Sequence, residues 1–264
     1  SSGSIDIPHV QIHDHFIRIP EEEEMKSIKA FPTADQFKRL ACITSDNPGV
    51  KMKAKAYLSY YEKFSYGNQS LLDSVKNYLD AADDHETELK IHYLYLKEDF
   101  EALAKIGNER PPSEWYNDPW SYYRIGEAFN KEANYEKALI YLTLALENKS
   151  EELDFLNKQA VVLIKLMKLE EAKAVLYRII NLQPKYASAY ANLGYINIEN
   201  AEFDRAEYNL ERAIKLEPDY KLARWNLIKL MSLKGEKLKA RKYLDSYLNL
   251  FPEDAEAITL KNSI

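Results

Sequence analysis

Along the second half of the chain, apolar residues return at the three- and four-residue spacing that places them on one stripe of an α-helix. The stripes themselves repeat. Leu142, Leu176, Leu210 and Leu244 lie 34 residues apart. Ala138, Ala172, Ala206 and Ala240 keep the same interval, as do Pro184, Pro218 and Pro252. A small residue, a large apolar residue and a helix-stopping proline at fixed phases predict stacked helix-turn-helix units in place of one globular core. Four regular units follow, at 119–152, 153–186, 187–220 and 221–254.

The third unit is the clearest. Tyr190, Leu193 and Gly194 fall on its first helix, and Gly194 lets the two helices approach closely. Ala206, Leu210 and Ala213 form the facing stripe, and Pro218 stops the second helix. The first unit agrees through Tyr122, Gly126, Ala138 and Ala145. The second and fourth carry Ala160 and Ile228 at the glycine phase, and Ile228 predicts a looser crossing. Residues 255–264 read as the start of one more helix, a partial C-terminal cap.

Upstream the pattern is helical but irregular, and 34–118 read as degenerate helical repeats. Helices are predicted over 34–43, 50–64, 70–81, 86–96 and 99–106. Turns fall at Asp46-Asn47-Pro48-Gly49 and Tyr66-Gly67-Asn68, with a loop at Arg110-Pro111-Pro112-Ser113. Asp118 then caps a helix that starts with Pro119. Residues 1–33 stand apart as an N-terminal arm or linker, with neither clean helical nor clean strand periodicity. Its run Glu21 to Glu24 does not converge on one point in a helix or a strand, so a solvated linker is expected over a cation site.

The four regular units resemble the tetratricopeptide repeat (TPR) family, in several positions that agree in phase across about half the chain. The resemblance implies an all-α, right-handed superhelical solenoid of antiparallel helix pairs, its concave groove lined by the first helix of each pair. In that family the sixth residue of a repeat points into the groove, which here assigns Arg124, Lys158, Asn192 and Asn226. An amide suits the backbone of an extended peptide because it donates and accepts at once. Trp120, Tyr123, Glu127, Asn157, Tyr195, Trp225 and Lys229 are the expected neighbours. Aromatics beside Arg and Asn make a plausible docking surface. A solvated face, or one covered by another domain of the same protein, is the competing reading. The Lys, Asn and Arg set by which chaperone-linked repeats clamp a terminal carboxylate is not found.

Composition agrees with helices: 7 Gly in 264 residues leave few flexible points, and 20 Tyr suit hairpin cores with hydroxyls at a wet edge. A net charge of −6 disfavours nonspecific nucleic-acid binding. Cys42 is the single cysteine, so there is no intrachain disulfide and no C-x-x-C site; among apolar neighbours it reads as inert. No run of apolar residues is long enough to span a bilayer as a helix. The chain begins Ser1-Ser2-Gly3 without a signal peptide, and it reads as a fragment of something longer. Phosphate-loop, H-E-x-x-H and G-x-S-x-G motifs are absent, so no catalytic residue is assigned and a nonenzymatic role is expected.

The arm adds one chemical signal. His9, His13 and His15 share one side of an extended segment, where imidazoles could meet a metal or haem iron. Asp6-Ile7-Pro8-His9-Val10, followed by His13-Asp14-His15-Phe16-Ile17-Arg18-Ile19-Pro20, resembles a stretch of multihaem c-type cytochromes that carry C-terminal tetratricopeptide repeats. The resemblance implies His15 first and His9 second as haem ligands in a full-length parent. It also implies a haem domain of the same polypeptide as partner, and a periplasmic or other extracytoplasmic location. This chain has no C-x-x-C-H, so it holds no haem c of its own. His85 and His92, on predicted helices, are expected to be ordinary partly buried histidines.

The expectation is thus a noncatalytic protein-protein interaction module that binds a peptide or partner domain, as the repeat domain of a multihaem cytochrome c-like protein. The alternatives are a cytoplasmic TPR scaffold without haem, and the regulatory repeats of an enzyme whose catalytic part lies elsewhere. An unfinished solenoid end is compatible with an oligomer.

Overall fold

The computed structural model describes residues 49–64, 67–80, 87–109 and 118–263. The arm with His9, His13 and His15, the acidic run, the helix expected over 34–43, Cys42 and His85 lie outside the described residues. Within them there are thirteen helices and no strand. The chain divides into two compact units, Ser1–Ile106 and Gly107–Ile264.

In the first unit, α1 (Val50–Phe64), α2 (Gln69–Asp80) and α3 (Thr87–Leu96) surround Leu58, Leu71, Leu72 and Val75. The leucines and the valine of α2 form the expected stripe. Gly67 takes φ 92°, a left-handed conformation open to glycine, and donates its N–H to the Tyr61 hydroxyl at 3.0 Å. His92 is partly buried on α3, its Nε2 3.3 Å from Glu62. The unit boundary falls inside α4 (Phe100–Glu109), which runs three residues past its expected end.

The second unit is built on the 34-residue interval. Its first helices are α5 (Pro119–Lys131), α7 (Leu153–Lys165), α9 (Ala187–Glu199) and α11 (Lys221–Leu233). Its second helices are α6 (Tyr135–Asn148), α8 (Leu169–Leu182), α10 (Phe203–Leu216) and α12 (Lys237–Leu250). Every start and every end recurs at 34. A further first helix, α13 (Ala255–Ser263), begins in the same phase. Asp118 opens the series as expected, accepting the Ser121 N–H on Oδ2 at 2.9 Å ahead of Pro119.

Backbone geometry carries the interval as firmly as side chains do. Between the helices of each hairpin one residue is left-handed: Ala133 (φ 57°), Met167 (58°), Ala201 (56°) and Gly235 (73°). The next residue closes a six-to-one hydrogen bond onto the first helix. The pairs are Asn134 N to Phe129 O (2.8 Å), Lys168 N to Leu163 O (2.9 Å), Glu202 N to Asn197 O (2.8 Å) and Glu236 N to Met231 O (2.9 Å). This is the Schellman ending, which satisfies carbonyls that the helix leaves open. The irregular hairpin α3–α4 uses the same turn, with Glu98 at φ 56° and Asp99 N to Leu94 O at 3.0 Å.

Hairpin contact follows the glycine phase. A Cβ on Gly194 would stand 2.6 Å from Leu210 Cγ, and one on Gly126 would stand 2.9 Å from Leu142 Cγ. Ile228 at the equivalent place is fully buried in a separate cluster with Leu244, Tyr247 and Ala257. A branched side chain on that leucine needs room that the glycine hairpins do not leave.

Candidate functional site

First helices of adjacent repeats touch directly: α5 with α7, α7 with α9, and α9 with α11. Their remaining sides therefore adjoin and form one continuous face. All eleven residues expected to line a groove lie on these four helices, and the structure sorts them into three groups.

The first group is aromatic. Phe155 of α7 is fully buried; Trp120 meets it edge-on at 4.8 Å and Tyr123 stacks on it at 4.9 Å. Arg124 Cζ lies 5.8 Å from the Trp120 ring centre and Lys149 Nζ lies 5.4 Å from it, so two cations attend one ring. Phe155 was not singled out from sequence, because an apolar residue at a core phase carries no mark of the ring cluster it organises.

The second group is polar and ties neighbouring repeats together. Glu127 is buried, and Lys158 reaches from the next repeat to its Oε2 at 2.7 Å. Asn157 Oδ1 accepts the Ser188 hydroxyl at 2.9 Å and Asn192 Nδ2 at 3.5 Å. These side chains are partly spent on each other; they line the face without being free in water. Ser188 was missed, although it holds the same phase as Trp120 two repeats along. Tyr195 sits at the edge of this group. Burial, and after it the neighbouring Glu199, push its hydroxyl above the usual tyrosine range.

The third group lies on α11. Asn226 is 4 % exposed, and its Nδ2 is buried with no hydrogen-bond partner. The reason is visible in the register. Asn192 finds Asn157, one position before the sixth residue of the preceding repeat, whereas Asn226 finds Ala191 at that phase. Trp225 packs on Tyr247 at 5.5 Å, and Lys229 Nζ lies 5.7 Å from the Trp225 ring centre. Between α11 and α13 there is a cavity of about 830 Å³ lined by Trp225, Lys229, Leu233, Glu256, Thr259 and Leu260, among others. Its α13 wall was legible in principle, since Thr259 and Leu260 follow Trp225 and Asn226 by 34. The helix itself was expected at 255–264; only its face-lining positions were not carried over to it.

Among the described residues no group of three or more His, Cys, Asp or Glu could hold a metal ion. Among them, too, no helix is long and apolar enough to cross a membrane. The face offers hydrogen-bonding amides, aromatic rings and paired charges, which suit recognition.

Two stretches match models described as tetratricopeptide repeat, residues 121–152 and 197–264. Human protein O-mannosyl-transferase TMTC3 is 34 % identical over 94 residues, covering 36 % of this chain and 10 % of that protein. The Drosophila melanogaster Tmtc3 is 29 % identical over 99 residues, 36 % of this chain and 11 % of that one. The chain thus spans about a tenth of the length of these curated relatives. The fold is similar to that of TTC0263, a thermophilic TPR protein of Thermus thermophilus, with a TM-score of 0.53 and 23 % identity over 65 % of this chain and 88 % of that one. It is also similar to MamA, with a TM-score of 0.51 and 20 % identity over 63 % and 96 %. The all-helical fold, its 34-residue hairpins and these matches agree that the chain carries tetratricopeptide repeats stacked as a solenoid.

Proposed function

We propose that the chain is a noncatalytic interaction module that holds a peptide or an extended partner segment along its first-helix face. The observation that carries this reading is Asn226. An amide N–H group buried without a partner costs free energy on the order of 1–3 kcal/mol, and a bound main-chain carbonyl would recover it. Asn192, one repeat earlier, offers the same group at the edge of hydrogen-bonding distance from its protein partner. Arg124 and Lys158 continue the row toward α5, with Trp120, Tyr123 and Tyr195 beside it.

The test is affinity for a peptide selected on the wild-type chain. Each lost neutral hydrogen bond is worth about 0.5–1.5 kcal/mol, so Asn192→Ala with Asn226→Ala should weaken binding by about 10-fold or more. Calorimetric affinity that is unchanged in the double variant removes the assignment.

The likeness to two proteins named as O-mannosyl-transferases favours a second reading, in which the repeats serve an enzyme whose catalytic part lies elsewhere in its polypeptide. A haem-linked parent is a separate proposal that rests on residues 6–20 alone, with His15 and His9 as ligands to a haem c held outside this chain. The extracytoplasmic location and the haem domain as partner stand or fall with it.

A further inference from the structure

The outer flank of α6 differs from that of every later second helix. Leu139, Ile140, Thr143 and Leu144 form one stripe at helical spacing, bounded by Glu136 and Glu147. With Leu166 and Lys168 of the next hairpin turn they line a groove of about 640 Å³. Ile140 is 54 % exposed. The other repeats place charge at these phases. Lys173, Glu207 and Arg241 stand where α6 has Leu139, and Arg178 and Arg212 stand where it has Leu144. An apolar stripe at positions that the fold otherwise leaves to water marks a contact surface.

The charge around the groove has one sign. Glu136 and Glu147 are exposed, and among the described residues neither meets a cation at ion-pair distance. Lys168, the base on the wall, is 3.6 Å from Glu171. The bases next to the two acids in sequence are engaged elsewhere: Lys137 with Asn108 and the Phe129 ring, Lys149 with Glu152 and the Trp120 ring. Lys173 of α8 is 2.9 Å from Glu170. Two unanswered carboxylates therefore flank the apolar stripe, about 16 Å apart along α6. The stripe between them has no hydrogen bond to spare. Its one hydroxyl, on Thr143, donates to Leu139 O at 2.8 Å and accepts Gln159 Nε2 at 3.2 Å. An extended main chain laid there would leave its N–H and C=O groups unmet, whereas a helix satisfies its own.

We infer that the α6 flank docks a basic amphipathic helix of a partner protein. Apolar side chains at i, i+3 or i+4 and i+7 of that helix enter the groove against Ile140, Leu144 and Leu166. Lys or Arg toward its two ends meets Glu136 and Glu147. The site is separate from the first-helix face and does not depend on the peptide-binding role proposed there.

A phage-displayed library of single helices, panned on the full chain, tests it. Helices with an apolar stripe flanked by Lys or Arg should be enriched. As synthetic peptides, acetylated and amidated, they should lose affinity as salt rises. Glu136→Lys with Glu147→Lys, both at exposed positions, should weaken them by about 10-fold or more and turn the selection toward Asp and Glu. Ile140→Lys with Leu144→Arg installs the residues that α12 and α10 carry at those phases, Lys242 and Arg212. It should abolish binding with a melting temperature close to that of the wild type; if it unfolds the chain, the two glutamate substitutions decide alone. Asn192→Ala with Asn226→Ala should leave these helices bound. No enrichment of such helices, enrichment indifferent to the charge at 136 and 147, or binding that survives Ile140→Lys with Leu144→Arg in a folded chain overturns the inference. Loss of the helices in the double asparagine variant also overturns it, and assigns them to the first-helix face. A dimer of the wild-type chain by sedimentation, lost in Ile140→Lys with Leu144→Arg, gives the groove to a second copy and overturns the separate partner.

Discussion

Gly194 shows how one atom sets a hairpin. Its missing Cβ would stand 2.6 Å from Leu210 Cγ and 2.7 Å from Leu210 Cδ2, closer than carbon atoms approach. Gly194→Ala should therefore destabilise the chain by about 1–3 kcal/mol, the usual penalty for overpacking a filled core. Chemical denaturation measures it. Leu210→Ala should cost less in the Gly194→Ala background than alone, because the added methyl occupies part of the space that the leucine leaves. Additive losses in that cycle would place the strain elsewhere. Buried Asn226 is a different case. From sequence, its phase marked it as a ligand-facing amide. Its lack of a partner depends on Ala191 standing where the previous repeat has Asn157, and that comparison is visible only once the first helices are in contact.

One carboxylate both caps the last helix and ties it to the preceding repeat. Asp254 Oδ1 accepts the Ala257 N–H at 3.1 Å at the start of α13, while Oδ2 accepts Lys221 Nζ and the Tyr247 hydroxyl, both at 2.8 Å. The Lys221 contact, then the Tyr247 hydroxyl and the Ala257 amide, hold the Asp254 carboxyl down to about 2 from its ordinary 3.8. A group whose pKa is lower in the folded state stabilises above its unfolded value and stops doing so as pH falls through the folded one. The hold on α13 should thus be complete above about pH 4 and fade toward pH 2. Amide exchange in α13, corrected for intrinsic rate, should rise across that window in the wild type; in Asp254→Asn the rise should be absent and exchange faster at neutral pH. Most elements of the second unit were legible because periodicity and proline agreed there, although Glu152, Lys168, Tyr186, Glu202, Tyr220 and Glu236 cap their helices with no side-chain hydrogen bond. The α3–α4 hairpin was harder. Its side chains miss the consensus, yet its turn at Glu98 matches the regular ones, and a left-handed Glu leaves no compositional trace of the kind that Gly235 leaves.

At the scale of the molecule, the fold of the second unit could be read from spacing alone, and the chemistry of its face only in part. Trp120, Arg124, Lys158 and Trp225 fell on the expected helices; the cavity beside Trp225 did not announce itself, because it is made by the absence of side chains between two helices. Stacks of this kind are stabilised mostly by contacts between nearest neighbours. The recurring left-handed turn at 133, 167, 201 and 235 then has a consequence for chain length. Removing residues 187–220 joins Tyr186 to Lys221 in place of Tyr220 to Lys221, so the junction keeps its residue type and α8 meets α11 as α10 did. That deletion should fold, with a shorter cooperative array and a lower melting temperature by circular dichroism. Removing 33 or 35 residues should not, because one residue turns a helix by about 100° and every later stripe would miss its mate. Insertions and losses in this stretch are therefore quantised, and genetic change here is tolerated in whole steps of 34 or hardly at all.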